Sequence, residues 1–157
     1  MGAELLTVMA GVQMTHIPYK GVADAYPAVA AGQADWMIGS PISALPLIRS
    51  GRLKAIAVTS KTRAKALPDL PTVAESGVPG YDVVAWFGMF APAKTPMNIV
   101  NLLSTEVHRA LQTPEVAKRM EIEGTDAVGN SPQEFAQEVK VEYEKWRGLV
   151  KKTGMKF

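Results

Sequence analysis

Cysteine is absent from the sequence, which excludes disulfides, thiolate nucleophiles and cysteine-ligated metals and permits an extracytoplasmic location without showing one. Histidine is scarce: His16 and His108 stand far apart in the chain. Zinc-helix spacings, nucleophile elbows and Gly-rich phosphate loops are missing. No charge of one sign dominates, since seventeen basic and fifteen acidic residues are interspersed for a net +2. That balance leaves no electrostatic footprint for nucleic acid, and the few aromatics are not interleaved with a basic stripe. No apolar run approaches the roughly 20 residues that a membrane span needs. The opening Met1-Gly2-Ala3-Glu4-Leu5-Leu6 has neither a secretory n-region nor an h-region. It enters an apolar helical pattern without a capping residue and reads as a helix interior, so a truncated chain is expected.

What remains is globular in composition, with 47% apolar and 20% charged residues. A chain of 157 residues suffices for one domain or two small lobes. The first half alternates short helical and extended patterns. Met1 to Ala10 reads as a helix, Met14 to Pro18 as a strand, and Asp24 to Ala31 as a helix with Pro27 in its first turn, stopped by Gly32. Ala34 to Ile38 and Leu53 to Thr59 read as strands flanking a short helix from Ser43 to Arg49. This βαβα rhythm with continuous apolar strands predicts an α/β fold around a buried, mostly parallel sheet.

A long Pro/Gly passage runs from Ala66 to Pro96 and contains the last strand pattern, Val83 to Ala91. Beyond it the chain reads as helical. Thr95-Pro96, Thr113-Pro114 and Ser131-Pro132 each place a hydroxyl at an N-cap and proline at the first helical position, and Ser131 with Glu134 has capping-box spacing. Ile99, Leu103, Val107 and Leu111 form one apolar stripe; Phe135, Val139, Tyr143, Trp146 and Val150 form another. Both are expected to face a core.

Catalysis finds little support. His108 reads as a surface residue and His16 as a packing residue, while Glu121 and Glu123 fall on different faces of one helix. No catalytic residue, metal site or cofactor is expected. Anion capture has a better basis at Gly39-Ser40-Pro41-Ile42-Ser43, where a strand leads into a helix. Backbone amides point outward at such a junction, and the helix dipole favours negative charge. It also lies at the C-terminal end of a strand, where open α/β sheets bind ligands. Ser40 beside Gly39 is the sharpest candidate, and Ser43 reads either as the helix cap or as a ligand group. Tyr19 offers a phenolic donor and Lys20 a charge at the preceding strand end; a half-exposed ring and a solvated ammonium are the alternative. Trp86 and Phe87 read as a cleft wall or as hinge packing.

Several motifs form an ordered series: His16-Ile17-Pro18-Tyr19-Lys20-Gly21, Gly32-Gln33-Ala34-Asp35, Ser43-Ala44-Leu45-Pro46 and Gly51-Arg52-Leu53-Lys54-Ala55-Ile56-Ala57-Val58-Thr59. Leu67-Pro68-Asp69-Leu70-Pro71-Thr72-Val73-Ala74-Glu75, Gly77-Val78-Pro79-Gly80-Tyr81, Trp86-Phe87-Gly88 and Ala91-Pro92 complete the series. In this order they resemble the substrate-binding proteins of tripartite tricarboxylate transporters, the Bug-type solute receptors. The resemblance covers nearly the whole chain. It implies a type 2 periplasmic-binding fold, with two hinged α/β lobes closing over a small organic carboxylate. It also implies a periplasmic location, membrane permease subunits as partners, and binding without chemical conversion.

On that resemblance residues 1–84 correspond to lobe two and residues 85–157 to the return segment of lobe one. The first half of lobe one, the signal sequence and the Gly/Ser-rich loop before the first helix have no counterpart here. Weak or absent binding by this chain alone is the expectation, together with a homodimer or domain-swapped assembly over uncovered sheet edges. A cytoplasmic ligand-sensing or interaction module on the same fold is the alternative.

Overall fold

The computed structural model describes residues 1–154. Its helices are α1 (Gly2–Ala10), α2 (Val22–Ala30), α3 (Pro41–Arg49), α4 (Met97–Leu111), α5 (Pro114–Glu123) and α6 (Pro132–Thr153). The described residues divide into two compact units, one of Met1–Trp86 with Glu121–Thr125 and one of Phe87–Met120 with the described residues from Asp126 onward.

In the first unit α1 lacks a side-chain cap, as its sequence implies, and ends where Gly11 adopts φ 65°. Its start is held by tertiary contact instead. The Tyr81 hydroxyl donates to the Gly2 carbonyl at 3.0 Å, and Tyr81 is 1% exposed. Helix α2 begins two residues earlier than its pattern suggests, so Pro27 lies inside the helix rather than in the first turn. The helix survives because Tyr26 and Ala28 are buried, which offsets the missing amide. It closes at Gly32, φ 72°, with the Gln33 amide bonded to the Ala28 carbonyl at 2.8 Å.

The predicted sheet is the main difference. Among the described residues no strand ladder forms: an isolated parallel bridge joins Val58 to Thr72, which lies outside every passage read as a strand, and the Val83 amide donates to the Thr59 carbonyl at 2.8 Å. A short continuous apolar run favours extended backbone, but a ladder also needs a neighbour about 4.8 Å away. Here Val58 finds that neighbour in the Pro/Gly passage: its amide donates to Pro71 and its carbonyl accepts from Val73, each at 2.9 Å. Apolar side chains that a paired sheet would cover stay exposed, Ile56 at 70% and Val84 at 52%.

That Pro/Gly passage holds its path through a reciprocal box. The Thr72 amide donates to Glu75 Oε2 at 2.8 Å, and the Glu75 amide donates to Thr72 Oγ1 at 3.0 Å. Arg63 Nε adds an ion pair to Glu75 at 3.0 Å. The Thr72 bonds and the Arg63 guanidinium hold the Glu75 carboxyl below its ordinary range, against a smaller opposing effect of burial.

In the second unit α4 lies against α6. The Phe90 and Phe135 rings meet at 5.3 Å between centroids, tilted by 53°. Helix α6 opens on the expected box: the Ser131 amide donates to Glu134 Oε2 at 2.8 Å and the Glu134 amide donates to Ser131 Oγ at 3.3 Å. Thr95, by contrast, is not a cap. Its amide closes a turn onto Pro92, and Pro96 takes the N-cap position of α4. Thr113 turns its hydroxyl back onto the Ala110 carbonyl at 2.7 Å, closing the end of α4. Neither apolar stripe is a core face throughout. Helix α4 has no buried residue, and in α6 Tyr143 is exposed while Leu149 is buried. The stripes are amphipathic, but periodicity does not say what covers them.

Candidate functional site

The turn entering α3 differs from its sequence reading in one respect that matters. The helix begins at Pro41 rather than Ser43, so Ser40 occupies the N-cap with φ −72° and ψ 138°. Ser43 is therefore not the cap but the third helical residue, and its side chain is exposed. Ser40 makes no side-chain cap hydrogen bond. Its carbonyl accepts the helix's first bond, from the Ala44 amide at 3.0 Å. Pro41 has no amide, and helix geometry gives the Ile42 and Ser43 amides no carbonyl within α3. Two donors and the positive end of the dipole thus lie together, with no acidic residue in the first turn and Arg49 in the last.

Tyr26 supports this turn from below. Its hydroxyl donates to the same Ser40 carbonyl at 3.0 Å, while its ring is 5% exposed. Burial raises the phenol above its ordinary value, which keeps it a neutral donor. The ring also explains Gly39. A side chain on Gly39 would place Cβ 2.1 Å from Tyr26 Oη and 2.8 Å from Cζ. Gly39 is not among the glycines with positive φ, so space and not backbone conformation demands it here. Tyr26 was missed in the sequence, although a tyrosine within an apolar helix was a signal: when buried, its hydroxyl needs a partner.

The other candidates are more dispersed. Tyr19 and Lys20 are exposed just ahead of α2, whose Tyr26 reaches Ser40. Trp86, 45% exposed, ends the first unit, and Phe87, 92% exposed, begins the second. His16 is exposed. His108 Nδ1 sits 3.1 Å from the Gly129 carbonyl, beside a shallow hollow of about 360 Å3 lined by Ser104, Thr105 and Glu134. A larger open hollow of about 640 Å3 lies at the far end of α3, walled by Ile48, Leu53, Leu67 and Leu70. It is mostly apolar and lies away from the Ser40 turn. No cluster of three or more His, Asp or Glu suited to a metal occurs among the described residues, and no helix there is long and apolar enough to cross a membrane.

Residues 1–155 match the family described as "Tripartite tricarboxylate transporter family receptor". The chain is 33% identical over 153 residues to protein BugT of Bordetella pertussis, across 98% of this chain and 47% of BugT. Among solved structures it is similar to R. palustris Rpa4515 with adipate, at 35% identity and a TM-score of 0.86, covering 98% of this chain and 51% of that one. It is also similar to MatC from Rhodopseudomonas palustris with bound malate, at 35% identity and a TM-score of 0.76, covering 95% and 52%. The chain spans about half the length of these relatives. Its fold and its sequence agree on one assignment: the chain belongs to the tripartite tricarboxylate transporter receptor family.

Proposed function

We propose that this chain supplies the C-terminal portion of an extracytoplasmic receptor that captures a small organic carboxylate for membrane permease subunits and does not convert it. The observation that carries the reading is its likeness to Rpa4515, described with adipate, and to MatC, described with malate. Both likenesses run over nearly the whole of this chain. Residues 1–84 are assigned to one lobe and residues 85–157 to the return segment of the other. Ligand binding then favours a closed state of the complete receptor, a hinge-type population shift.

The recognition chemistry assigned to this chain is the α3 entrance. The Ile42 and Ser43 amides offer two hydrogen bonds to a carboxylate, and the dipole contributes about 0.3–1 kcal/mol, more when partly buried. Hydrogen bonds to a charged acceptor are stronger than neutral ones, roughly 1.5–3 kcal/mol each. Gly39 makes room for the Tyr26 ring that backs the turn, Ser40 and Ser43 add hydroxyls, Tyr19 adds a phenol, and Lys20 supplies long-range charge. Trp86 and Phe87 are assigned to the wall of the cleft. The cytoplasmic sensing module is the weaker reading, because the family is one of transporter receptors.

With one set of binding groups this chain alone holds a carboxylate only weakly, with a Kd on the order of millimolar. Calorimetry against malate, adipate and citrate, with a neutral sugar as control, tests this. Heat of binding for the acids alone is expected. Sub-micromolar affinity would refute the weak-binding reading, and equal heats for acid and sugar would refute carboxylate recognition.

A further inference from the structure

We infer that Tyr26 is a positioning residue for the Ser40 turn, with its hydroxyl fixing the Ser40–Pro41 peptide and its ring filling the place of a side chain at Gly39. The inference deepens the carboxylate reading and rests on it for its functional meaning, but not for its structural content. The Ser40 carbonyl accepts two hydrogen bonds of 3.0 Å, one from Ala44 in its own helix and one from Tyr26 in α2. The first satisfies the cap carbonyl, as in any helix. The second is not needed for satisfaction, and its effect is orientation. Pro41 carries no N–H, so the Ser40–Pro41 peptide plane can be held by hydrogen bonding only through that carbonyl.

The packing has the same consequence. Tyr26 is 5% exposed and its ring occupies the volume above Gly39, with 3.1 Å from the site of a Gly39 Cβ to Cε1. Any rotation of the turn toward α2 meets the ring, and any rotation away breaks the hydroxyl bond. The Ile42 and Ser43 amides, which follow directly, inherit that orientation. Tyr26 touches no ligand in this account. It sets where two donors point, and donors placed beforehand spare the ligand the cost of ordering them.

The test uses the full chain carrying Tyr26→Phe, with Tyr81→Phe as its control. Tyr81 also donates a hydrogen bond of 3.0 Å to a backbone carbonyl, that of Gly2, and is likewise buried. A structural hydroxyl and a positioning hydroxyl should therefore differ only in where their loss is felt. Hydrogen exchange of the Ala44 amide, whose acceptor is Ser40, is expected to quicken about fivefold or more in Tyr26→Phe and to stay within twofold of wild type in Tyr81→Phe. Amide resonances of Ile42 and Ser43 shift in the first variant alone. Equal responses of Ala44 in the two variants overturn the proposal.

Titration with adipate, followed at the same amides, adds the functional arm. Weakening of about fivefold in a Tyr26→Phe chain that still unfolds cooperatively supports positioning of the binding donors. Should wild type show no adipate shifts while Ala44 still responds selectively, the carboxylate reading fails and the positioning role stands. Should Tyr26→Phe not fold, Gly39→Ala presses on the same ring from the other side and is expected to quicken Ala44 likewise; no change there overturns the proposal.

Discussion

Replacing Gly39 by alanine changes one hydrogen into a methyl group at a place where the structure has no room for it. The new Cβ would stand 2.1 Å from Tyr26 Oη, against the 3.4 Å at which ordinary contact begins, so ring and turn must part by about 1.3 Å. Tyr26 is 5% exposed, so little open space is available to the displaced ring. Overpacking of this kind costs roughly 1–3 kcal/mol. The displaced hydroxyl also loses its bond to Ser40, about 1 kcal/mol more. Opposing this, alanine restricts the unfolded chain by about 0.4–1 kcal/mol. The net expectation is a loss of about 1–3.5 kcal/mol, a fall in melting temperature of roughly 2–14 °C for a chain of this size. The control is Gly148→Ala in α6, where nothing lies within 4 Å and the helix interior favours alanine, so stability should rise by about 0.5–1 kcal/mol. Denaturant unfolding of both variants and of Gly39→Ala combined with Tyr26→Ala measures the coupling. If Gly39→Ala unfolds within about 0.5 kcal/mol of wild type, or costs as much without the ring as with it, the steric argument is wrong.

Other outcomes follow from the same structure. Ser131→Ala removes one half of the α6 capping box and should cost about 1 kcal/mol by denaturant unfolding; a neutral effect would show that Pro132 and Glu134 suffice to start the helix. The Glu75 carboxyl has a folded pKa below its ordinary value of 4.5, chiefly through the Thr72 backbone bond and then through Arg63. Its contribution is therefore present above that value and is lost as pH falls through the lower folded pKa. Glu75→Gln should flatten the acid limb of the stability profile below about pH 4.5, and an unchanged limb would count against the Thr72–Glu75–Arg63 box. Phe87 at 92%, Phe90 at 69% and Met89 at 66% exposure form an apolar stretch, so light scattering is expected to report self-association at high concentration; a well-behaved monomer would refute it.

The hydroxyl–proline pairs show how much of this was legible beforehand. Ser131-Pro132 marked a helix start correctly because Glu134 stands at the spacing that returns the bond. Thr95-Pro96 carried the same pair without an acidic partner, and the helix begins one residue later. Ser40-Pro41 is the same device again, yet the helix was read from Ser43, which hid that Ser40 takes the N-cap and that Ile42 and Ser43 carry the first-turn amides. Periodicity located α1, α2 and α6 to within two residues because their apolar spacing and Gly stops are local signals. Sheet pairing was not local. Nothing in Leu53 to Thr59 announces that Val58 will pair with the Pro/Gly passage at Thr72. The contact between Tyr26 and Gly39 spans thirteen positions and depends on tertiary placement, which composition cannot supply.

The central claim is that backbone amides at the α3 entrance, and no reactive side chain, hold the carboxylate. A structure of the complete receptor, or of this chain, with adipate tests it most directly. The account predicts a carboxylate oxygen within about 3 Å of the Ile42 or Ser43 amide nitrogen, beside Gly39 and Ser40. Adipate seated instead in the hollow walled by Leu53 and Leu67, or chemically altered by the protein, would contradict it.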